Sequence, residues 1–370
     1  MNSETGGVAN IIRQICLNLQ KNKINTMLVC ANTELGKTMT DPETIRFSDH
    51  LVIHIVKQNK NPLLGFRKSI YRILDTVSEI SLIHVHTCFS TICDASLKYA
   101  AQNNIPCIFT PHGKFSPAMF ANKKQLKKLY YEWYVEKNLN NISKIIVSSP
   151  DEAIHIRQLG IKNDISYVYN GYYRYKEAIL SEKVEKIPVP YFLFLGYLDP
   201  RKQPDLLIKA FSQSSASKKY KLVLAGPDSY SYLGHLKELV STYDLADKVI
   251  FPDRVLGYDK WYLLKHATAL LLPSKAEGWP VVIAEAIGAK LPLIISKACN
   301  FSEITTLNIG IEIADFNISN WANAIDTLCD QMQHAAFKRN LSNISESFAW
   351  ENIVQQWINE YNTILKKENT

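Results

Sequence analysis

Two glutamates in one apolar stretch have the clearest chemical potential in this sequence. They are Glu277 and Glu285, eight positions apart in the segment AEGWPVVIAEAIGAKLPLIIS. Pro280 suits the first turn of a helix, where its missing N–H costs nothing. The free N–H groups near Val281 and Val282 would then make a site for an anion such as phosphate. Carboxylates on either side of that site would accept hydrogen bonds from hydroxyls.

This arrangement suits a sugar nucleotide, which carries a diphosphate between two groups with vicinal hydroxyls. The sugar would lie near Glu277, the diphosphate at the helix start and the ribose near Glu285. The alternative is a pair of carboxylates on the solvent-facing side of an amphipathic helix.

Strands and helices alternate along the chain on both sides of a polar stretch that ends in Ile187-Pro188-Val189-Pro190, which cannot be a helix interior. The predicted strands are 26–30, 51–56, 82–86, 107–110, 145–147, 167–169, 192–195, 222–225, 249–251, 269–272 and 293–295. The predicted helices include 8–19, 66–79, 95–102, 123–139, 151–158 and 350–365.

This alternation predicts an α/β protein with two doubly wound parallel sheets. We expect an N-terminal domain over 1–175, a linker over 176–190, a second domain over 191–348 and a last helix over 349–370 that crosses back to the first domain. Ligands of such sheets bind at the carboxyl ends of the strands, and two domains facing each other would form a cleft.

Composition fits this organisation. The chain has 370 residues, 46% of them hydrophobic, which is enough for two domain cores. A net charge of +7 is compatible with a phosphate-bearing ligand or an acidic membrane surface and is too small to argue for nucleic acid. The first residues lack the features of a signal peptide. Seven scattered cysteines without a Cys-x-x-Cys pair are typical of a cytoplasmic protein with reduced thiols.

No metal site is expected. His84 and His86 would share one face of a strand, but no third ligand stands at a suitable spacing.

Six segments together resemble a known family. The glutamate segment PSKAEGWPVVIAEAIGAKLPLI resembles the signature of retaining family-4 glycosyltransferases with the GT-B fold. The others, in chain order, are IFTPHG, YVYNG, FLFLGYLDPRKQPDLLIKAF, KLVLAGP and FAWENIVQQWINEYNTIL. Each is weak alone, but their order and spacing match the family over nearly the whole chain.

The resemblance assigns roles to particular residues. Glu277 would contact the donor sugar, within a donor-binding segment that includes Gly278, Trp279, Pro280 and Val281. The other assignments are Glu285 to the ribose, Lys202 and Arg201 to the diphosphate, His112 to the side of the transferred sugar, and the Gly6-Gly7 loop to donor phosphate and acceptor. The family needs no metal cofactor, and its sugar transfer is thought to proceed by front-face attack of the acceptor hydroxyl with retained configuration.

The sequence departs from the family at several points. Tyr197 stands where an arginine usually neutralises phosphate, and Gln203, Asp253 and Lys290 each replace a common glycine. Relatives also have a strand before the Gly-Gly loop, and the six residues before Gly7 are not β-like. We therefore expect the first strand of the N-terminal domain to be missing from this sequence, with translation beginning upstream.

A basic stretch, KFSPAMFANKKQLKKLYY (114–131), interleaves lysines with aromatic and aliphatic residues. It could dock on an anionic bilayer, and the alternative is an ordinary solvated helix face. Its lysines are Lys114, Lys123, Lys124, Lys127 and Lys128.

The leading functional hypothesis is a metal-independent glycosyltransferase at the cytoplasmic face of the inner membrane. It would use a UDP- or GDP-sugar and a lipid-linked glycan acceptor in the biosynthesis of O-antigen, capsule or lipopolysaccharide. The alternatives are a GT-B phosphorylase or epimerase and a degenerate, non-catalytic GT-B protein.

Overall fold

The structure, a computed structural model, describes residues 7–32, 43–57, 66–88, 90–115, 136–139 and 142–367. The chain forms two compact units. The first comprises Met1–Tyr169 together with Trp350–Thr370, and the second comprises Asn170–Ala349.

The first unit has two sheets, with strand orders β1-β3-β2 and β4-β5-β6-β7. Their strands are β1 (Thr26–Asn32), β2 (Glu43–Ser48), β3 (Leu51–Lys57), β4 (Ile83–His86), β5 (Cys107–Thr110), β6 (Lys144–Val147) and β7 (Ile165–Tyr167). All pairings are parallel except that of β2 with β3, which is antiparallel. The antiparallel strand was not predicted, although its residues 44–48 alternate between polar and apolar types; almost all of its side chains are exposed.

Helices of the first unit begin at recognisable residues. They are α1 (Gly7–Lys21), α2 (Phe66–Leu74), α3 (Thr91–Gln102), α4 (Glu136–Leu139), α5 (Pro150–Gln158) and, at the end of the chain, α14 (Trp350–Lys367). The hydroxyl of Ser90 accepts the N–H of Cys93 at 3.3 Å and starts α3. Ser149 starts α5 in the same way, with a proline at the first helical position. The last helix packs against α1.

In a doubly wound domain the first strand normally lies between the second and the fourth. Here β1 and β4 each end the strand order of their own sheet, and α3 contacts both of them. The expectation that the strand before the Gly6-Gly7 loop is missing from this sequence concerns residues outside the described ones, so it stays an expectation.

The second unit has one six-stranded sheet with the order β10-β9-β8-β11-β12-β13. The strands are β8 (Tyr191–Leu195), β9 (Lys221–Ala225), β10 (Val249–Ile250), β11 (Leu270–Leu272), β12 (Leu293–Ser296) and β13 (Gly310–Ile313). Every pairing is parallel, and the order is that of a doubly wound sheet. The predicted fold class is confirmed, although β13 was not predicted.

Helices flank this sheet around an apolar core. They are α6 (Glu182–Glu185), α7 (Pro204–Gln213), α8 (Tyr232–Thr242), α9 (Gly257–His266), α10 (Val281–Gly288), α11 (Glu303–Thr306), α12 (Ile318–Thr327) and α13 (Gln331–Ile344). Phe192 and Phe194 of β8, Phe211 of α7 and Trp321 of α12 are completely buried. Complete burial of such side chains contributes about 1.5–3 kcal/mol each, so this core holds the carboxyl ends of the strands in place.

The second unit begins earlier in the chain than the sequence suggested. Residues 170–175, expected at the end of the first domain, belong to it. Tyr172 donates its N–H to Phe348 O at 2.9 Å, and its ring stacks on Trp261 with 5.9 Å between ring centroids. These contacts with residues of the second unit explain the shift.

Three positions where the sequence departs from the family's glycines have left-handed backbone conformations. The φ angles are 53° at Gln203, 62° at Asp253 and 57° at Lys290. Lys290 directly follows the last turn of α10, where the N–H of Leu291 donates to Ala286 O at 2.9 Å, as in a Schellman motif. The chain therefore keeps the backbone that glycine favours and accepts the strain of a side chain there.

Candidate functional site

Glu277 lies in a loop at the carboxyl end of β11, as the sequence predicts. The loop is fixed by backbone contacts: Glu277 donates its N–H to Ala298 O at 3.1 Å. The side-chain amide of Asn300 donates to Glu277 O at 2.7 Å and to Gly278 O at 2.8 Å. The position of the Glu277 carboxylate is thus set by the neighbouring strand's loop.

The carboxylate of Glu277 forms an ion pair with the ammonium group of Lys202. Their side chains are 14% and 24% exposed, so the pair is largely shielded from water. Lys202 comes from the loop after β8, and the two loops are also joined by the Lys275 N–H, which donates to Arg201 O at 2.7 Å. Two residues assigned to one ligand from separate segments therefore contact each other.

Asp199 shapes the basic loop and was missed by the sequence analysis. It is 1% exposed, and its Oδ1 accepts the N–H groups of Arg201 at 2.7 Å and Lys202 at 3.1 Å. The Arg201 side chain is 70% exposed and lies 3.1 Å from Asp199 Oδ2. Aspartate often accepts the N–H groups of residues two and three positions later and so forms a turn. The sequence alone could therefore have indicated this role for Asp199. Tyr197, in the same loop, is 46% exposed.

The segment between the two glutamates forms the start of α10. Pro280 is its N-cap residue, and no side chain caps this end of the helix, so N–H groups of the first turn are available to an anion. The Trp279 ring is buried, stacked on Phe348 and edge-on to Phe301. Trp279 therefore supports the loop by packing.

Glu285 is a buried residue of α10, 8% exposed, and its carboxylate forms an ion pair with Lys260 of α9. The solvent-facing alternative for Glu285 is therefore wrong. The sequence analysis missed Lys260, because the two residues are 25 positions apart and lie on different helices. No sequence pattern connects them.

His112 lies in the first unit, just after β5, in a tight turn. Its φ angle is 53°, and that of Gly113 is 75°. The buried carboxylate of Glu152 accepts the Gly113 N–H and, at 2.9 Å, the Ser148 N–H. The sequence analysis also missed Glu152. The spacing of Ser149 and Glu152 indicates the start of a helix, but it does not show that the Glu152 carboxylate binds the N–H of Gly113 in the turn after His112.

Three histidines form a cluster around this turn, named here the three-histidine cluster: His84, His86 and His112. Nδ1 of His86 is 3.0 Å from Nε2 of His112, and the rings of His84 and His86 are 3.9 Å apart. Burial, together with the positive charge of Lys114, lowers the pKa of His112 to about 3. Burial, together with His112, lowers that of His84 to about 3, and the pKa of His86 is also far below its ordinary value. At neutral pH the cluster is uncharged.

The other predicted site residues lie elsewhere. Gly7 is the first residue of α1, whereas Gly6 is outside the described residues. Of the basic stretch, only Lys114 and Phe115 are described; Lys123, Lys124, Lys127 and Lys128 are not. Within the described ranges, no helix is both long and apolar enough to cross a membrane. No group of three or more His, Cys, Asp or Glu side chains in that part of the chain, the three-histidine cluster included, is arranged so that it could hold a metal ion.

Two family models match this chain. The model described as Glycosyltransferase Family 4 matches residues 5–173, and the one described as Glycosyl transferases group 1 matches residues 176–343. Together they extend over most of the chain.

Individual proteins are similar over comparable lengths. An uncharacterized 41.2 kDa protein in the cps region of Klebsiella pneumoniae is 26% identical over 85% of this chain and 84% of its own. The O-antigen chain mannosyltransferase RfbU of Salmonella typhimurium is 25% identical, over 64% of this chain and 65% of its own. Among solved structures, Anabaena HepE in complex with UDP and glucose has a TM-score of 0.69, with 18% identity and 98% of both chains covered.

Proposed function

Because this chain belongs to glycosyltransferase family 4 and has the GT-B fold, we propose that it transfers a hexose from a nucleotide sugar to an acceptor hydroxyl with retention of configuration. The observation that carries the proposal is the set of charged groups at the carboxyl edge of the second sheet. Glu277 with Lys202, and Glu285, flank a helix start that no side chain caps.

Each charged group has a distinct task in this proposal. Lys202 and Arg201 offset the negative charge of the diphosphate as it leaves, aided by N–H groups at the start of α10. Glu277 accepts hydrogen bonds from hydroxyls of the transferred sugar, and Glu285 accepts them from the ribose. As the anomeric C–O bond to the diphosphate breaks, the acceptor oxygen attacks from the same face and its proton passes to the departing phosphate.

His112 is proposed to lie beside the transferred sugar. With its pKa lowered to about 3, the imidazole is neutral and can donate or accept a hydrogen bond without adding a positive charge. The turn held by Glu152 fixes where the ring stands.

The acceptor is proposed to be a lipid-linked glycan of a surface polysaccharide such as O-antigen, capsule or lipopolysaccharide. The Salmonella O-antigen mannosyltransferase and the Klebsiella cps-region protein support this choice. The donor is a UDP- or GDP-sugar, which the UDP complex of the Anabaena protein supports. The lysines of the basic stretch are proposed to hold the protein at the inner face of the cytoplasmic membrane.

A non-catalytic GT-B protein is the second candidate. Tyr197 is exposed in the loop after β8, at the position where the family usually has an arginine. This favours the non-catalytic candidate, because one positive charge fewer faces the diphosphate. Arg201 in the same loop compensates in the leading proposal.

The test separates binding from turnover. Calorimetry with UDP- and GDP-sugars measures donor binding by wild type, Glu285→Ala and the control Glu238→Ala, which removes an exposed carboxylate from the same unit. Glu285→Ala should bind the donor at least about tenfold more weakly, since a charge-assisted hydrogen bond contributes about 1.5–3 kcal/mol. Glu238→Ala should match wild type.

Transfer is then measured with lipid-linked acceptors from membrane extracts, and the anomeric configuration of the product is read by NMR. Retained configuration in a longer glycan supports the proposal. Donor binding without turnover on any extract would select the non-catalytic candidate. No binding of any nucleotide sugar would contradict both.

A further inference from the structure

The ion pair between Lys260 and Glu285 lies inside the second unit, away from bulk water. The side chain of Lys260 is 16% exposed and that of Glu285 11%. Lys260 Nζ also lies 5.9 Å from the centroid of the Tyr175 ring. Burial lowers the pKa of Lys260, but Glu285 and Tyr175 more than offset that effect, and the pKa stands above its ordinary value. The lysine is therefore a cation at neutral pH.

A buried ion pair is a poor means of stabilising a fold. Removing two charges from water can cost more than their attraction returns, and apolar side chains of similar size often serve stability as well or better. The neighbours of Lys260 along α9 illustrate this, since Trp261, Leu263 and Leu264 are buried and apolar. A lysine at this position is explained if its task is to orient the buried carboxylate of Glu285.

The ion pair also engages only one oxygen of the carboxylate. Lys260 contacts Oε1 of Glu285, and among the described residues Oε2 has no hydrogen-bond partner. A carboxylate held at one oxygen by a fixed cation presents the other oxygen in a defined direction. That oxygen can accept a hydrogen bond from a hydroxyl group.

We propose that Lys260 is a positioning residue for nucleotide binding: it orients the Glu285 carboxylate so that the oxygen it does not contact accepts the ribose hydroxyls of the donor. The proposal rests on the function proposed above and adds to it a residue that acts through Glu285. Lys260 affects affinity only through the hydroxyls that Glu285 binds, which separates it from a residue that merely stabilises the fold.

The test compares a nucleotide with its analogue that lacks the ribose hydroxyls. Calorimetry is run with UDP or GDP, whichever binds wild type more tightly, and with the matching 2′,3′-dideoxynucleoside diphosphate. The variants are Lys260→Met, Lys260→Arg and the control Lys209→Met. Lys209 forms a helical ion pair with Asp205 at 3.2 Å in the same unit and has no place in the proposed site.

Wild type and Lys209→Met should prefer the nucleotide with hydroxyls by about tenfold or more. Lys260→Met should lose most of that preference while binding the dideoxy analogue as wild type does, and Lys260→Arg should keep it. In transfer assays Lys260→Met should raise the donor KM and change kcat little. If Lys260→Met does not fold, Lys260→Gln takes its place. Its preference for the nucleotide with ribose hydroxyls should lie between those of wild type and Lys260→Met.

Retention of the full preference by Lys260→Met, or equal weakening toward both nucleotides, would overturn the inference. A wild type that binds UDP or GDP without any preference for ribose hydroxyls would overturn the assignment of Glu285, and this inference with it. A wild type that binds neither nucleotide would contradict the proposed function itself.

Discussion

The ion pair between Lys202 and Glu277 leads us to expect that a substitution in the candidate site will strengthen the binding of a nucleoside diphosphate. In the structure the ammonium of Lys202 is paired with the carboxylate of Glu277, so a diphosphate that binds Lys202 has to compete with that carboxylate. We expect Glu277→Gln to bind a free nucleoside diphosphate more tightly than wild type, because the competing carboxylate is gone. Turnover of the nucleotide sugar should fall, since the neutral amide of glutamine orients the hydroxyls of the reacting sugar less strongly than the carboxylate does.

The magnitude follows from the burial of the pair. A hydrogen bond between charged groups contributes about 1.5–3 kcal/mol when shielded, and exposed pairs contribute about 0–1 kcal/mol. With side chains 24% and 14% exposed, an intermediate value of about 1–2 kcal/mol is reasonable. That corresponds to UDP or GDP affinity about 5- to 30-fold higher in the variant.

The assay is calorimetric titration of wild type, Glu277→Gln and Glu285→Gln with UDP and GDP. Glu285→Gln is the matched control, because it also removes a buried negative charge but should weaken binding, since a neutral amide oxygen is a weaker acceptor for ribose hydroxyls than a carboxylate. If Glu277→Gln binds the nucleotide equally or more weakly, Lys202 does not exchange partners and the reasoning is wrong.

Four further predictions concern stability, the histidine turn and metals. The lowered pKa values of the three-histidine cluster mean that the unfolded chain binds protons that the folded chain does not. The free energy of unfolding should therefore be highest above about pH 6.5 and should be lower by about 1 kcal/mol per histidine at pH 5.5. Urea unfolding at pH 7.5 and 5.5 should show this difference, and the difference should be smaller in His84→Gln. Lys290→Gly should raise the free energy of unfolding by up to about 1 kcal/mol by relieving left-handed strain, and a lower melting temperature would refute this. Glu152→Ala should lower kcat at least about tenfold by releasing the His112 turn, whereas the exposed control Glu238→Ala should not, and an unchanged kcat would contradict the role of Glu152. Transfer activity should survive EDTA if, as proposed, Lys202, Arg201 and helix N–H groups hold the diphosphate, and a loss restored by Mg²⁺ or Mn²⁺ would refute metal independence.

Sequence reasoning succeeded where the chemistry is local along the chain. The loop and helix that carry Glu277 and Glu285 form one segment with a turn, a proline and an apolar face, and each of these has a sequence signal. The alternation of strands and helices likewise predicted both α/β units. Strand β2 was missed although its residues 44–48 alternate between polar and apolar types, which is a local strand signal.

Two of the missed site residues, Lys260 and Glu152, share a different cause. Lys260 meets Glu285, and Glu152 meets Gly113, only after separate elements have packed, 25 and 39 positions apart in the chain. A pattern search along one segment cannot pair residues that folding alone brings together. At Lys290 the sequence did indicate an unusual position, because a lysine stands where the family commonly has glycine. It did not indicate whether the backbone there would still be left-handed, as the structure shows.

The division of the chain has a consequence for folding. The second unit, Asn170–Ala349, is continuous, whereas the first needs both Met1–Tyr169 and the last helix. That helix supplies Trp357, which is buried, and Tyr361, whose hydroxyl is 2.9 Å from Nδ1 of His84. Domains generally fold as units, so the second unit can form from one uninterrupted stretch of chain, whereas the first is complete only when the helix beyond Ala349 has packed against it.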